Sequence, residues 1–466
     1  MNWQNFVKQY NLEISSVNLK QLFGSNRLDA EAYKPNYLDQ ANNLNKIETT
    51  TLNDLSCEVD ASAFYPSLEP FYGLGNIPFL RVSDVNKTVD YDNCIYIPAE
   101  IIEKYKTLKL VNEGDILITK GGTVARIGIA TKKAAVSRDL VFIKSSKLPR
   151  KEYIYLYLYL LSDTANQLLL RGSSQSVQPH LTVTMVRELP VPKVSDKIKD
   201  KLLKTYIQYN ELLNKSREHF KKANLYLMEI FNSEKLSINN EKTTSKNWSE
   251  VLKHNRFDSE YWLPKYEDLL SVFGNNYTPL YKLFDVLKGI NVKYSIDGKY
   301  KVIKTKQLKN YLIDIDSCED LSNMGIEIQD NDLIFASMGV GSLGKIDIFY
   351  SDHYPGKYVI DGTLQIFRKP KNVLSEYLLV LFRLPLYQKL IYRYIVGSSG
   401  IISISKDDVS QLPVPNIDKK IQMSIAYNIK LFQSLRKESD NLLEFAKQTI
   451  DILIMHGEKK ALLHTY

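Results

Sequence analysis

Small and hydrophobic residues recur with a helical period in two long stretches of the chain. In the first they are Tyr206, Tyr209, Leu213, Ser216, Phe220, Ala223, Leu227 and Ile230, and in the second Ile425, Ile429, Phe432, Leu435, Ser439, Leu442, Ala446, Ile450 and Leu453. Spacings of three and four residues are typical of a seam that is buried against a partner helix. Two such seams in one chain predict two long helices that pair with each other.

The motif Leu-Pro-Val-Pro precedes each seam, at 189–192 and at 412–415. Each proline fixes φ and lacks a backbone donor, so these motifs end the elements before them. We predict spacer helices over 191–232 and 413–456. A continuous helix over 195–231, which is 231 − 195 + 1 = 37 residues, would be about 55 Å long at about 1.5 Å per residue.

The remaining segments alternate between short apolar runs and turns. Runs such as 77–82 and 115–119 are rich in apolar and β-branched residues and are flanked by Gly, Asn and Asp, which predicts strands. The segments 152–170 and 376–395 predict helices, the second kinked at Pro385. A polar stretch over 233–247 predicts a solvated linker, and the charged tail over 457–466 predicts a frayed end.

The chain also contains an internal repeat. Residues 27–37 return at 256–266, 114–118 at 331–335, 140–144 at 364–368, and the Gly-Ser-Ser of 172–174 at 397–399. Similar blocks in the same order indicate two copies of one module. We therefore predict an α+β chain of two tandem β-rich domains, 1–190 and 248–412, each followed by a long helix. The two helices would pair as an antiparallel coiled coil and relate the modules by an approximate two-fold axis.

Composition adds little to this architecture and excludes some classes of protein. At 466 residues the chain exceeds one ordinary hydrophobic core, and 44% hydrophobic with 24% charged residues is typical of a globular protein. The net charge of +8 permits a polyanionic partner. Three separated cysteines fit a reducing cytosol, and no apolar run is long enough to span a bilayer. We expect a cytoplasmic protein without membrane contact.

Catalytic and cofactor motifs are not evident in the sequence. Residues 339–344 match Gly-x-Gly-x-x-Gly, but a strand-like run follows where a dinucleotide site needs a helix, so we predict a hairpin there. The chain has no Pro-Pro pair of the kind found at the flipped base of adenine methyltransferases, and its six histidines lack metal-ligand spacing. We therefore predict a chain that is not an enzyme and has no cofactor.

The Asp-Ile-Leu-Ile strand, the Gly-Ser-Ser loop, the Leu-Pro-Val-Pro motif and the long helix, in their duplicated order, resemble the specificity (S) subunits of type I restriction-modification systems. The resemblance implies two target-recognition domains, each reading one half of a split double-stranded DNA site, and a helical spacer. It also implies docking of two methyltransferase (modification) subunits and, in the full complex, motor-nuclease (restriction) subunits, as a defence against foreign DNA. The alternative is a structural scaffold of two β-rich modules and a helical hairpin that binds no DNA.

DNA binding requires cations along phosphates and polar side chains that reach base edges. Lys120 and Arg126, in a glycine-containing loop, are the best candidates; the competing interpretation is an ordinary hairpin with solvated charges. The serines of the two Gly-Ser-Ser loops could bind phosphates or base edges. The competing interpretation is that Gly172 and Gly397 are helix C-caps and that the serines only form turns. We expect Arg27 and Arg256 to be structural because Asp29 and Asp258 stand beside them. The candidates are Arg81, Ser83, Thr119, Lys120, Thr123, Arg126, Ser173, Ser174, Gln175 and Gln178 in the first module, and Lys304, Thr305, Lys306, Ser337, Ser342, Lys345, Ser398 and Ser399 in the second.

Overall fold

The computed structural model divides the chain into two compact units. Unit 1 comprises Met1–Glu211 with Ser439–Tyr466, and unit 2 comprises Leu212–Glu438. The residues described by the structure are 14–17, 29–63, 65–87, 89, 91, 94–173, 180–231, 239, 241, 243–254, 256–274, 276–309, 312–318, 320–397 and 402–466. The first part of the predicted linker, residues 233–238, lies outside these residues. The predicted boundaries of the functional domains stay a prediction.

The helices are α1 (Pro35–Leu44), α2 (Ala99–Lys104), α3 (Arg150–Leu161), α4 (Asp163–Gly172), α5 (Val183–Arg187), α6 (Asp196–Ile230), α7 (Trp248–His254), α8 (Pro264–Ser271), α9 (Leu280–Leu283), α10 (Ser375–Arg383), α11 (Pro385–Ile391), α12 (Lys406–Ser410), α13 (Lys419–His456) and α14 (Glu458–Leu463).

The strands up to residue 192 are β1 (Thr49–Thr51), β2 (Val59–Ala61), β3 (Ile77–Leu80), β4 (Ile95–Ile97), β5 (Leu110–Val111), β6 (Ile116–Thr119), β7 (Ile127–Ile129), β8 (Ala134–Val136), β9 (Leu140–Ile143) and β10 (Pro190–Pro192). The later strands are β11 (Tyr277–Pro279), β12 (Asp285–Lys288), β13 (Tyr300–Ile303), β14 (Leu308–Lys309), β15 (Leu312–Ile313), β16 (Leu321–Ser322), β17 (Ile326–Glu327), β18 (Leu333–Ala336), β19 (Ile346–Ile348), β20 (Tyr358–Ile360), β21 (Leu364–Arg368) and β22 (Pro413–Pro415).

Each unit contains two sheets of four strands, and the strand order is the same in both units. Unit 1 has the orders β2-β9-β6-β7 and β4-β3-β8-β5, and unit 2 has β12-β21-β18-β19 and β16-β13-β20-β17. In each unit one pair is parallel, β3 with β8 and β13 with β20. The internal repeat is therefore confirmed strand by strand.

The central strands β6 and β18 are buried along their whole length, as their uninterrupted apolar runs predict. Each of them forms a hairpin with the next strand, β7 or β19. The Gly-x-Gly-x-x-Gly sequence lies in the second of these hairpins, which confirms the predicted hairpin.

The Leu-Pro-Val-Pro motifs form short strands, which the sequence did not predict. Strand β10 pairs antiparallel with β1, and β22 pairs with β11. These are pairs rather than wider sheets, so a missing proline N–H costs no hydrogen bond on a second side. The long helices accordingly begin at Asp196 and Lys419, a few residues later than predicted.

The two predicted helices before these motifs are each divided in two. Ser162 separates α3 from α4 and caps α4 by accepting a hydrogen bond from the Ala165 N–H. Pro385 occupies the first turn of α11, where its missing donor costs nothing, so α10 ends at Arg383. The prediction of one continuous helix over 152–170 was wrong, and the prediction of an interruption at Pro385 is confirmed.

The long helices α6 and α13 pack against each other in the antiparallel sense within each unit. In unit 1 the Ser439 hydroxyl donates to the Tyr209 carbonyl over 3.3 Å. In unit 2 the Phe220 and Phe432 rings lie 5.2 Å apart, centroid to centroid. The predicted α6 seam is buried from Tyr206 to Leu227, but Ile230, in the last turn, is 39% exposed.

The tail is folded, and the prediction of a frayed end was wrong. The Glu458 carboxylate accepts a 2.6 Å hydrogen bond from the Ser195 N–H at the start of α6. The Lys201 ammonium donates to the carbonyls of Ala461, Leu462 and His464 at the end of α14. Glu458 thus satisfies a backbone donor at the start of α6, and Lys201 satisfies carbonyls at the end of α14.

Among the residues that the structure describes, none of the helices combines the length and apolar character needed to cross a membrane.

Candidate nucleic-acid interface

Three segments of unit 1 leave strand ends at one common edge. The Ser137 N–H donates to the Leu80 carbonyl over 2.9 Å, and the Lys120 N–H donates to the Asp139 carbonyl over 2.8 Å. These bonds join the residues that follow β3, β6 and β8. We call this surface the unit 1 edge; it comprises residues 81–83, 120–126 and 137–139.

Unit 2 builds the same edge from equivalent residues. The Asp361 N–H donates to the Ile303 carbonyl over 3.2 Å, and the Ser337 N–H donates to the Thr363 carbonyl over 3.0 Å. The unit 2 edge comprises residues 304–306, 337–345 and 361–363. The structure therefore brings together, in each unit, candidates that are far apart in the sequence.

Lys120 lies at the centre of the unit 1 edge and is partly buried. Burial lowers the pKa of its ammonium group; the Asp139 carboxylate opposes this shift, and the neighbouring Arg138 guanidinium adds to it. Arg138 is exposed, and its N–H donates to the Tyr65 hydroxyl over 3.1 Å. A phosphate at this edge would meet two cations whose mutual repulsion it relieves.

Arg81 and Lys304 occupy equivalent positions at the start of short 3₁₀ turns. The Arg81 N–H donates to Asp84 Oδ2 over 2.8 Å, and the Lys304 N–H donates to Gln307 Oε1 over 3.0 Å. The Arg81 side chain is 42% exposed, and the exposed Ser83 hydroxyl donates to the Asp84 carboxylate. The backbone is the same in both units, whereas the side chains it presents differ.

The Lys304 ammonium is engaged within unit 2. It lies 2.8 Å from Asp320 Oδ2 and 4.3 Å from the centroid of the Tyr294 ring. Burial lowers the pKa of Lys304, but the contacts with Asp320 and Tyr294 outweigh burial and raise it. Thr305 next to it is partly buried, and Lys306 is exposed at the tip of the turn.

Arg126 and Lys345 are equivalent cations at the start of the returning hairpin strands. The carbonyls of Arg126 and Lys345 accept hydrogen bonds from Thr119 and Ala336 N–H over 3.0 and 2.8 Å. The Arg126 side chain lines a cavity of about 220 Å³ together with Lys87 and other residues of unit 1. Both side chains are partly exposed.

The tips of the hairpin loops carry the other polar candidates. Thr123 is exposed in unit 1, and Ser342 is partly buried in unit 2, where its N–H donates to the Gly339 carbonyl over 3.1 Å. Between Thr119 and Ala125 the first loop has 124 − 120 + 1 = 5 residues, whereas between Ala336 and Gly344 the second has 343 − 337 + 1 = 7. The two units thus present loops of different length and side chains.

Three hydroxyl candidates are buried and bind their own loops. Thr119 donates to the Thr123 carbonyl over 2.5 Å, and its oxygen accepts from the Arg126 N–H. Ser173 donates to the Leu170 carbonyl, and Ser337 donates to the Thr363 carbonyl. Their side chains support the loops from inside.

Several candidates lie outside the described residues, namely Arg27, Ser174, Gln175, Gln178, Ser398 and Ser399. Arg256 is described, and its guanidinium binds both oxygens of Asp258 over 2.8 and 3.0 Å. Its Nη1 also binds Asp408 over 3.1 Å. The expected pairing of Arg256 with Asp258 is confirmed, and its structural role stays a prediction.

Sequence reasoning missed Arg138, which the structure places beside Lys120. Its signal was present, because Arg138 follows the strand β8 closely, as Arg81 follows β3. The parallel pairing of β3 with β8, which brings these two strand ends to one edge, was not evident from either segment alone.

The part of the chain described by the structure contains no cluster of three or more His, Cys, Asp and Glu residues that could hold a metal ion. Apart from the carboxylates of Asp139 and Asp361, the polar groups of the two edges are cations, hydroxyls and backbone amides. Such groups bind anions and hydrogen-bond acceptors.

Comparison with known proteins identifies one matching family. Residues 45–222 match the family described as "Type I restriction modification DNA specificity domain". A comparison with curated protein sequences gave no match.

Solved structures also show distant similarity. An S subunit of a type I restriction-modification system from M. genitalium is 14% identical, with 88% of this chain and 96% of that chain covered and a TM-score of 0.38. An HsdS subunit from Thermoanaerobacter tengcongensis is 11% identical, with 89% and 96% covered and a TM-score of 0.26. At these TM-scores the superpositions do not by themselves establish a common fold.

Proposed function

We propose, from the match of residues 45–222 to the type I restriction modification DNA specificity domain family, that the chain is a sequence-specific DNA-binding subunit. Each unit reads one half of a bipartite site with its edge. The chain carries out no chemistry itself and directs partner subunits to the DNA.

The observation that carries this proposal is the duplicated edge with unlike side chains. Both edges are built on the same strand ends and the same backbone hydrogen bonds. Where unit 1 places Lys120 next to Arg138, unit 2 places Ser337 near Gly362. A common frame with different donors suits the reading of two different half-sites, because base identity is read by side chains and backbone position by the frame.

The long helices set the distance between the two half-sites in this proposal. Helix α6 has 35 residues and α13 has 38, which correspond to about 52 and about 57 Å at about 1.5 Å per residue. Their antiparallel packing buries the seam and leaves the outer faces exposed for protein partners.

We further propose that methyltransferase subunits dock on these outer faces, and that motor-nuclease subunits join them in the full complex. A cleft of about 460 Å³ lies between α6 and α13 in unit 2, lined by His219, Lys222, Tyr226, Met423, Ser424, Tyr427 and Asn428. Met423 and Tyr427 are 60% and 64% exposed. Exposed methionine and aromatic side chains are typical of the centres of protein interfaces.

The test is methylome sequencing of cells that express the partner subunits with this chain, without it, or with a Lys120→Ala variant. We expect methylation at a bipartite motif that requires the chain, with reduced occupancy in the variant. Lys147→Ala is the matched control, since Lys147 is a cation of unit 1 that pairs with Glu58 away from the edge.

The scaffold alternative predicts the opposite result. Under it, the assembled complex binds duplex DNA no better with this chain than without it, and no motif depends on the chain. Binding that does not weaken as the salt concentration rises would likewise overturn the proposal, because phosphate contacts release counterions.

A further inference from the structure

An amide side chain from a neighbouring helix bonds each hairpin loop. In unit 1, Asn166 Nδ2 donates to the Ala125 carbonyl over 2.9 Å. In unit 2, Gln388 Nε2 donates to the Gly344 carbonyl over 2.9 Å. Asn166 lies in α4 and Gln388 in α11, the second helices of the two divided pairs.

The two acceptors are equivalent residues. The N–H groups of Ala125 and Gly344 donate to Thr119 and Ala336, each over 2.9 Å. The offset between the acceptors is 344 − 125 = 219, and that between Asn166 and Gln388 is 388 − 166 = 222. Two copies of the same contact, made by different amide residues, indicate a function common to both units.

Both acceptors have a left-handed backbone at the point where the loop turns back into the sheet. Their φ angles are 63° at Ala125 and 90° at Gly344. For alanine this conformation is strained, so surrounding contacts have to hold it. The next residue in each unit is an edge cation, Arg126 or Lys345. The amide contact therefore fixes the backbone from which that cationic side chain extends.

The length of each amide side chain fits its acceptor. A Cβ on Gly344 would lie 2.3 Å from Gln388 Oε1, so with any larger residue the end of the glutamine side chain would have to move. Ala125 keeps its Cβ opposite asparagine, which is one methylene shorter. Gln388 is further fixed by a 2.5 Å bond to the Phe382 carbonyl.

We propose that Asn166 and Gln388 are positioning residues, each of which fixes one hairpin loop for the reading of one half-site. This inference rests on the proposed DNA-reading function of the two edges. Neither residue contacts DNA; each acts through the carbonyl that it binds. Because the contacts are internal to separate units, each residue serves one half-site only.

The sharpest variants are Asn166→Asp and Gln388→Glu, which retain size but replace the donor with an acceptor facing a carbonyl. Each is assembled as the full chain with its partner subunits and tested against DNA libraries that are randomised in one half-site at a time. We expect Asn166→Asp to lower discrimination at one half-site about tenfold, the ratio that 1.4 kcal/mol represents. Gln388→Glu should lower discrimination at the other half-site to a similar extent.

Matched controls are Asn36→Asp in unit 1 and Asn276→Asp in unit 2. Asn36 bonds the Gln167 amide at an exposed position, and Asn276 bonds the Asn416 carbonyl. Neither contact involves a hairpin loop, so discrimination at both half-sites should stay at the wild-type level. Thermal unfolding of every variant identifies any that lose the fold.

A compensating pair keeps the test decisive if a single variant misfolds. Gly344→Ala alone brings a Cβ against Gln388 and should lower discrimination at the half-site read by unit 2. Gly344→Ala with Gln388→Asn recreates the Ala–Asn pair of unit 1 and should restore it.

Two results would overturn the inference, namely folded Asp and Glu variants that read both half-sites as the wild type does, or variants that lose both half-sites equally. If the wild-type complex itself shows no bipartite preference, the proposed function fails instead, and the two failures are thereby distinguished.

Discussion

The Tyr155 hydroxyl donates a 2.7 Å hydrogen bond to the Pro192 carbonyl, and this bond ties α3 to the strand that leads into the first long helix. Unit 2 repeats it between Tyr377 and Pro415, again over 2.7 Å. In both units the phenol is buried. The Leu-Pro-Val-Pro motif is thus an anchoring strand whose carbonyls are held by tyrosines of the preceding helices.

Removing one of these hydroxyls should destabilise the unit that contains it. Tyr155→Phe or Tyr377→Phe should lower the free energy of unfolding by about 1–3 kcal/mol, because a buried acceptor loses its donor. Chemical denaturation measures the loss. Tyr392→Phe is the control, since Tyr392 is 45% exposed, and an equal loss in this variant would contradict the anchoring role.

Arg138 should contribute to DNA binding through charge. Arg138→Ala should weaken binding uniformly across sequences and reduce the slope of log affinity against log salt by about 1. Fluorescence anisotropy of the assembled complex over a salt series measures the slope. Lys147→Ala should leave it unchanged, and an unchanged slope in Arg138→Ala would place Arg138 away from the phosphates.

The folded state should lose stability in acid partly because the Asp258 carboxylate becomes protonated. Burial raises the pKa of Asp258, but the hydrogen bonds from Arg256 outweigh burial and leave that pKa below its ordinary value of 3.8. The folded state then favours the carboxylate, so its stabilisation is present above pH 3.8 and is lost as the pH falls through the lowered pKa.

Melting temperatures from about pH 5 to about pH 2 should therefore decline less steeply in Asp258→Asn than in the wild type. The exposed Asp297 supplies a control substitution, Asp297→Asn. Parallel melting curves for Asp258→Asn and the wild type would show that the pair with Arg256 does not contribute to acid sensitivity.

The spacer proposal makes a prediction about DNA length. One heptad inserted into both α6 and α13 preserves the seam and adds about 10.5 Å, the length of about three base pairs. Methylome sequencing should show the gap between half-sites lengthened by about that number with the bases read unchanged. An unchanged gap would exclude the helices as the spacer.

Much of the fold could be predicted because two signals, the repeat and the seam, are periodic. The break at Ser162 was not predicted, although the apolar run ends at Leu161 and a serine followed by Asp163 is typical of a helix N-terminus. The order of α14 was missed for a different reason. Its charged sequence is typical of a frayed end, and its partner Lys201 lies in α6, more than 250 residues away.

The candidate interface divides in the same way. Lys120 and Arg126 stand out in the sequence because glycines and hydroxyls surround them. Arg138 and the two amides Asn166 and Gln388 acquire their roles only from strand pairing and helix packing, which join segments distant along the chain. Such contacts cannot be predicted from the local sequence.

The division of the chain into units has a consequence for its synthesis on the ribosome. Unit 2 is one continuous segment, Leu212–Glu438, whereas unit 1 is closed by Ser439–Tyr466, which are translated after it. Unit 1 is therefore begun first but completed last. Its residues before Leu212 lack their last helical segment until unit 2 has been synthesised. A translation stop after Glu438 would release a chain with unit 2 entire and unit 1 incomplete.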